Sequence, residues 1–140
     1  MMDKDTLIFS TTASVLTFLF GNFDVPLQVL IVFVITDFLT GLVKAWFNNN
    51  LSSQQGYKGL MKKCGIMVVI MVAVMLDLLT GTVLFRIPVC WFFIAIEGIS
   101  VLENLGNIGV PIPKFLLDKL IQIKNVNNMG DKEEIEEAQE

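Results

Sequence analysis

Apolar residues in this chain gather into long runs separated by polar stretches, and few of them follow amphipathic spacing. The first run is "TLIFSTTASVLTFLFG", Thr6 to Gly21, which is rich in serine and threonine. Extended to Phe23 it reaches 18 residues, roughly 27 Å as a helix. We read it as a first membrane span over 6–23. A signal peptide competes, but Lys4 stands between Asp3 and Asp5 and no A-x-A site follows. A re-entrant or interfacial segment is the third reading. The second run, "PLQVLIVFVITDFLTGLVKAWF" over 26–47, opens on Pro26, which suits a first helical turn. It closes on Trp46 and Phe47 beside Lys44, a pattern that suits a membrane interface. "NNNLSSQQGYKGLMKK", Asn48 to Lys63, reads as a polar, basic loop. Two further spans follow over 64–85 and 87–106. "NIGVPIP" then breaks the helix with Gly109, Pro111 and Pro113. In "KFLLDKLIQIK" the residues Leu116, Leu117, Leu120 and Ile121 recur at helical spacing opposite Lys114, Asp118 and Gln122. That predicts a short amphipathic helix within 107–130, cytoplasmic or interfacial and too short to span. The expected fold is all-α, a multi-pass transmembrane helical domain over 1–106 with four spans, or three if the first does not cross.

Composition agrees with this pattern. The 140 residues are 54% hydrophobic and 17% charged, whereas soluble domains carry nearer a quarter charged residues. The net charge of −4 is concentrated at one end. "DKEEIEEAQE", 131–140, holds six acids and one base and reads as a solvated, disordered tail. Of the ten basic residues, Lys44, Lys58, Lys62 and Lys63 flank the second-to-third connection, four more follow the last span, and Lys4 precedes the first. Only Arg86 falls on the other side, so the positive-inside rule places both termini in the cytoplasm.

Chemistry-bearing residues are few. Histidine is absent, and no phosphate-binding, dinucleotide-binding or nucleophile-elbow motif occurs. Nothing calls for catalysis, a cofactor, a metal or nucleic acid. Cys64 and Cys90 fall at opposite ends of the membrane in this reading, which makes both free thiols. What stands out is a repeated pentapeptide at the centre of two apolar runs: "DFLTG" at 37–41 and "DLLTG" at 77–81. On a helix Asp37, Thr40 and Gly41 share one face, as do Asp77, Thr80 and Gly81. Such faces turn from lipid toward helices or water. Helical rise puts Asp37, Asp77 and Glu97 roughly 16, 12 and 13 Å from one surface, in a single layer with no lysine or arginine at that depth. Three readings stand side by side: protonated acids making interhelical hydrogen bonds, a wet seam or pore lining, and a cation-transport site. An oligomer or pore face would comprise Asp37, Thr40, Gly41, Asp77, Thr80, Gly81, Glu97 and Ser100.

A resemblance sharpens the choice. "TDFLTGLVKAW", "GLMKKCGIM", "MLDLLTG" and above all "AIEGISVLENLGNIGVPIPKFLLDKL" are similar to phage holins of the toxin-secretion/phage-lysis type. The resemblance covers Pro26 to Leu120. It implies a small phage-encoded protein of the bacterial cytoplasmic membrane that homo-oligomerises in the lipid bilayer. Such proteins open the membrane and release endolysin, or in some hosts a large toxin, as cargo. The competing classes are a small proton- or cation-coupled transporter and an accessory membrane subunit. A transporter would be expected to carry a pair of discontinuous helices or a clear inverted repeat, and this chain has neither.

Overall fold

A computed structural model describes residues 3–50 and 52–123. Its four bounded helices are α1 (Lys4–Phe20), α2 (Val25–Phe47), α3 (Ser53–Thr80) and α4 (Arg86–Asn107). A fifth, α5, is helical over 114–123, and no strand occurs among the described residues. The expected acidic tail, 131–140, and the end of the 107–130 segment lie outside the described residues.

Local chemistry explains most boundaries. Pro26 sits in the first turn of α2, and the Asp24 side chain accepts the Leu27 N–H at 3.4 Å. The largest difference from expectation is α3. It begins at Ser53, so the last eleven residues of the predicted 48–63 loop are helical. Polar composition concealed a helical stripe in which Tyr57, Leu60, Met61 and Cys64 recur at i, i+3, i+4 and i+7. With 28 residues α3 is about 42 Å long, more than the roughly 30 Å of a hydrocarbon core. The helix also stops five residues before the expected 85. Gly81 takes φ 67°, a left-handed conformation, and the Thr82 N–H closes the end on the Asp77 carbonyl at 3.1 Å.

Three helices, α2, α3 and α4, are long and apolar enough to cross a membrane. α1 has 17 residues, about 25 Å, and ends at Phe20 because Gly21 takes φ 74°. α1 lies against α3 and buries none of its own residues. Its hydroxyls turn inward to its own backbone: Thr11, Thr12 and Ser14 each donate to the carbonyl four residues earlier at 2.8 Å.

The three long helices run up, down and up, so α2 and α4 are parallel, and these two share the most extensive contact. One half of the bundle is dry. Leu30, Ile70, Val74, Cys90 and Ile94 form its buried core toward the end where α4 begins. That end is tied together by Arg86. Its guanidinium pairs with the Asp24 carboxylate and donates to the Asn22 carbonyl at 3.3 Å. Both cysteines are free, Cys90 inside the core and Cys64 exposed. The other half of the bundle is polar.

Candidate functional site

Asp37 lies ten residues before the end of α2 at Phe47, and Glu97 lies ten residues before the end of α4 at Asn107. Lys63 lies ten residues after Ser53 on the antiparallel α3. Ten residues rise about 15 Å, so the three side chains meet at one level. Lys63 Nζ lies 2.5 Å from Asp37 Oδ2 and also pairs with Glu97 Oε2. The ammonium is only 13% exposed, and Glu97 is buried further. Lys63 overturns the expectation that no base stands at the depth of the acids. The polar composition of 48–63 predicts a loop at Lys63, yet it heads the same α3 face as Ile66, Ile70 and Val74, which are buried below it.

Asn104 extends the cluster. Its Nδ2 donates to Asp37 Oδ1 at 3.0 Å and to Thr40 Oγ1 at 3.4 Å, and its Oδ1 accepts from Lys44 Nζ at 3.3 Å. Gly41 borders this side chain: a Cβ there would stand 3.7 Å from Asn104 Nδ2, an ordinary contact distance. Sequence reasoning missed Asn104, although it lies seven residues from Glu97, two turns along the same face. The resulting chain runs Lys44, Asn104, Asp37, Lys63, Glu97. It contains two carboxylates and two ammonium groups, of which Lys63 pairs with both carboxylates and Lys44 reaches Asp37 only through Asn104. Charges taken out of water are tolerable only when paired and hydrogen-bonded in this way.

The structure divides the eight residues predicted to share a face. Asp37, Thr40, Gly41 and Glu97 come together around Lys63 and Asn104. Ser100 is half-buried on α4 outside the hydrogen-bonded chain. Asp77, Thr80 and Gly81 lie at the far end of α3, so the expected single layer of three carboxylates does not form. Asp77 Oδ1 and Oδ2 accept the N–H groups of Phe85 and Arg86 at 2.8 and 3.0 Å and thereby cap α4. Thr80 donates to the Leu76 carbonyl at 2.8 Å. The same pentapeptide has two fates because "LVKAWF" carries the helix on after Gly41, whereas "TVLFRIP" after Gly81 turns the chain into α4.

A crevice of about 170 Å³ reaches the cluster, lined by Asp37, Gly41, Gln55, Gly59, Lys63 and Asn104 among others. At about 30 Å³ each it has room for several waters. It continues into a wider cleft at the Phe47 end of α2 through shared walls at Gly41, Gln55 and Asn104. Half of the bundle is therefore an apolar plug, and half is a polar seam open to one surface.

Residues 14–125 match the model of the bacteriophage holin family. An uncharacterised protein of Clostridium perfringens is 46% identical over 115 residues, 81% of this chain and 85% of that one. An uncharacterised protein of Listeria innocua is 37% identical over 122 residues, 86% of each chain. The probable holin of Bacillus phage phi105 is 36% identical over 114 residues, 79% of this chain and 82% of that one. No solved structure matches. The family match spans the three helices long and apolar enough to cross a membrane and the whole polar seam, and this membrane protein belongs to the bacteriophage holin family.

Proposed function

We propose that the protein is a working holin: it homo-oligomerises in the bacterial cytoplasmic membrane and opens lesions through which endolysin, or a large toxin, leaves the cell. The observation that carries the reading is the Asp37–Lys63–Glu97 cluster at mid-span, joined by a crevice to one surface. Charges held that deep have a use when neighbouring copies supply the rest of a wet wall. Within one chain the charges satisfy one another. In an assembly, rotation of α2 and α4 about α3 exposes the same groups to water, and the face of Asp37, Thr40 and Gly41 becomes available to a second copy. The lipid bilayer and further copies of the chain are the partners. The long helices also bury little of themselves, from 17% of the most apolar stretch of α2 to 28% of that of α4, which leaves surface for both. The orientation that fits the lysines puts the connection between α2 and α3 and the start of α5 at the cytoplasmic side, with Leu120 of α5 packed back along the bundle at Gly98. If α1 crosses as well, the N-terminus joins them.

Expression in a bacterial host together with a cytoplasmic wall hydrolase is the test. Growth should stop abruptly, the membrane should depolarise and the hydrolase should reach the wall. Continued growth with altered flux of a single solute would contradict the proposal and favour a transporter.

A further inference from the structure

At the Phe47 end of α2 a cleft of about 520 Å³ opens between the second half of α2 and the first half of α3. Its charged wall is entirely basic: Lys44 from α2, Lys58 and Lys62 from α3. Lys58 and Lys62 are four residues apart and share a helix face. Asn48, Asn50 and Gln55 add amide groups, and no carboxylate lines the cleft among the described residues. Neither Lys58 nor Lys62 forms an ion pair among those residues, in contrast to Lys63 one position further along. Three ammonium groups around an open space repel one another unless an anion sits between them.

The height of the cleft identifies the anion. Trp46, Phe47 and Tyr57 surround this end of the bundle and are all more than 60% exposed, the placement of a membrane-interface belt. Leu60 and Met61 on α3 are exposed apolar neighbours of the two lysines. A cleft that is basic inside, bordered by apolar surface and level with the interface is open to the headgroup of a lipid whose acyl chains lie along α3. We propose that it binds the phosphate headgroup of an anionic lipid, with Lys44, Lys58 and Lys62 as the phosphate contacts. The lipid then stands at the mouth of the crevice that leads to the mid-span cluster and packs α3 against α2. This goes beyond the lesion-forming reading and does not depend on it.

The full-length protein in neutral detergent, titrated with phosphatidylglycerol or phosphatidylcholine of matched acyl chains and followed by native mass spectrometry, tests the site. Wild type should retain one phosphatidylglycerol per chain in preference to phosphatidylcholine. Lys58→Gln with Lys62→Gln should weaken retention about 25-fold, from about fivefold per lysine near an anionic headgroup. Both side chains are exposed, so the variant should keep the wild-type helix content by circular dichroism. Lys114→Gln, at the start of α5 near the same end but outside the cleft, should retain the lipid as wild type does. Equal retention of the two lipids, or a double variant that binds phosphatidylglycerol as tightly as wild type, would overturn the proposal. Displacement of the lipid by an equimolar amount of inorganic phosphate would assign the cleft to a free anion and overturn it as a lipid site. Membrane opening is not read in this experiment, so its failure and the failure of the lesion-forming reading are separate results.

Discussion

Replacing Lys63 by methionine would leave Asp37 and Glu97 at one level with no cation between them. Removing one partner of a buried ion pair costs about 3–5 kcal/mol, because the remaining charge keeps its desolvation penalty. Asp37→Asn is the milder change. Asparagine still accepts from Lys63 and leaves the Lys63–Glu97 pair intact, so a cost within about 1 kcal/mol is expected. Denaturant unfolding in mixed micelles should separate the two variants widely, and equal stability would mean that Lys63 does not hold the cluster. At the other end, Asp24 is a carboxylate outside the spans whose pKa is lowered, chiefly by its hydrogen bonds from Arg86, with burial acting the opposite way. A lowered folded pKa means that the contribution is complete above the unfolded value, about 3.9, and fades as pH falls through the folded one. Wild type should therefore exceed Asp24→Asn in melting temperature by a constant margin from pH 5 to 8, and that margin should shrink below about pH 4. The margin itself should be small, within about 1 kcal/mol for a partly exposed pair. A margin that grows on acidification would contradict the Arg86 tie.

At the scale of elements, α5 is placed by a glycine on α4. A Cβ at Gly98 would stand 3.0 Å from a ring carbon of Phe33 and 3.1 Å from a Leu120 methyl, so α2, α4 and α5 meet tightly at this glycine and any larger residue makes Phe33 or Leu120 give way. Gly98→Val should push α5 off the bundle at an overpacking cost of about 1–3 kcal/mol. Tryptic cleavage after Lys114 and Lys119 should then accelerate in detergent, while Gly65→Ala, which meets nothing within 4 Å, should leave the rate unchanged. Cleavage unaffected by valine would show that Leu120 does not anchor α5. The helices themselves were largely legible. α2 was expected over 26–47 and occupies Val25–Phe47, because Pro26 and the interfacial aromatics bound a single apolar run. The start of α3 was not legible from composition, since Ser52, Gln54, Gln55 and Gly56 read as loop while tertiary packing favours helix. That early start carries Lys63 from a surface loop to the centre of the site, and the early stop at Gly81 makes Asp77 a cap on α4. Asp37, Thr40, Gly41 and Glu97 were found because a polar residue inside an apolar run is conspicuous. Lys63 and Asn104 were missed because each lies near the margin of its run, where a polar residue is ordinary.

The whole molecule is a bundle with an apolar plug at the Arg86 end and a polar seam open toward the Phe47 end. Positive charge follows the same division, with Lys44, Lys58, Lys62 and Lys114 at the open end and Arg86 at the closed one. In a background with Cys64 and Cys90 changed to serine, a cysteine at Ser53 should resist an impermeant label in intact cells and one at Val83 should react. The reverse pattern would invert the orientation. Release from vesicles tests whether copies of this chain open a membrane to folded macromolecules, as proposed. Full-length protein reconstituted with an entrapped fluorescent dextran and a small dye should release both together once a threshold density is reached. Asp37→Asn should still crosslink into oligomers and yet release the dextran severalfold more slowly. Vesicles that pass protons or the small dye while keeping the dextran at every protein density would contradict the account.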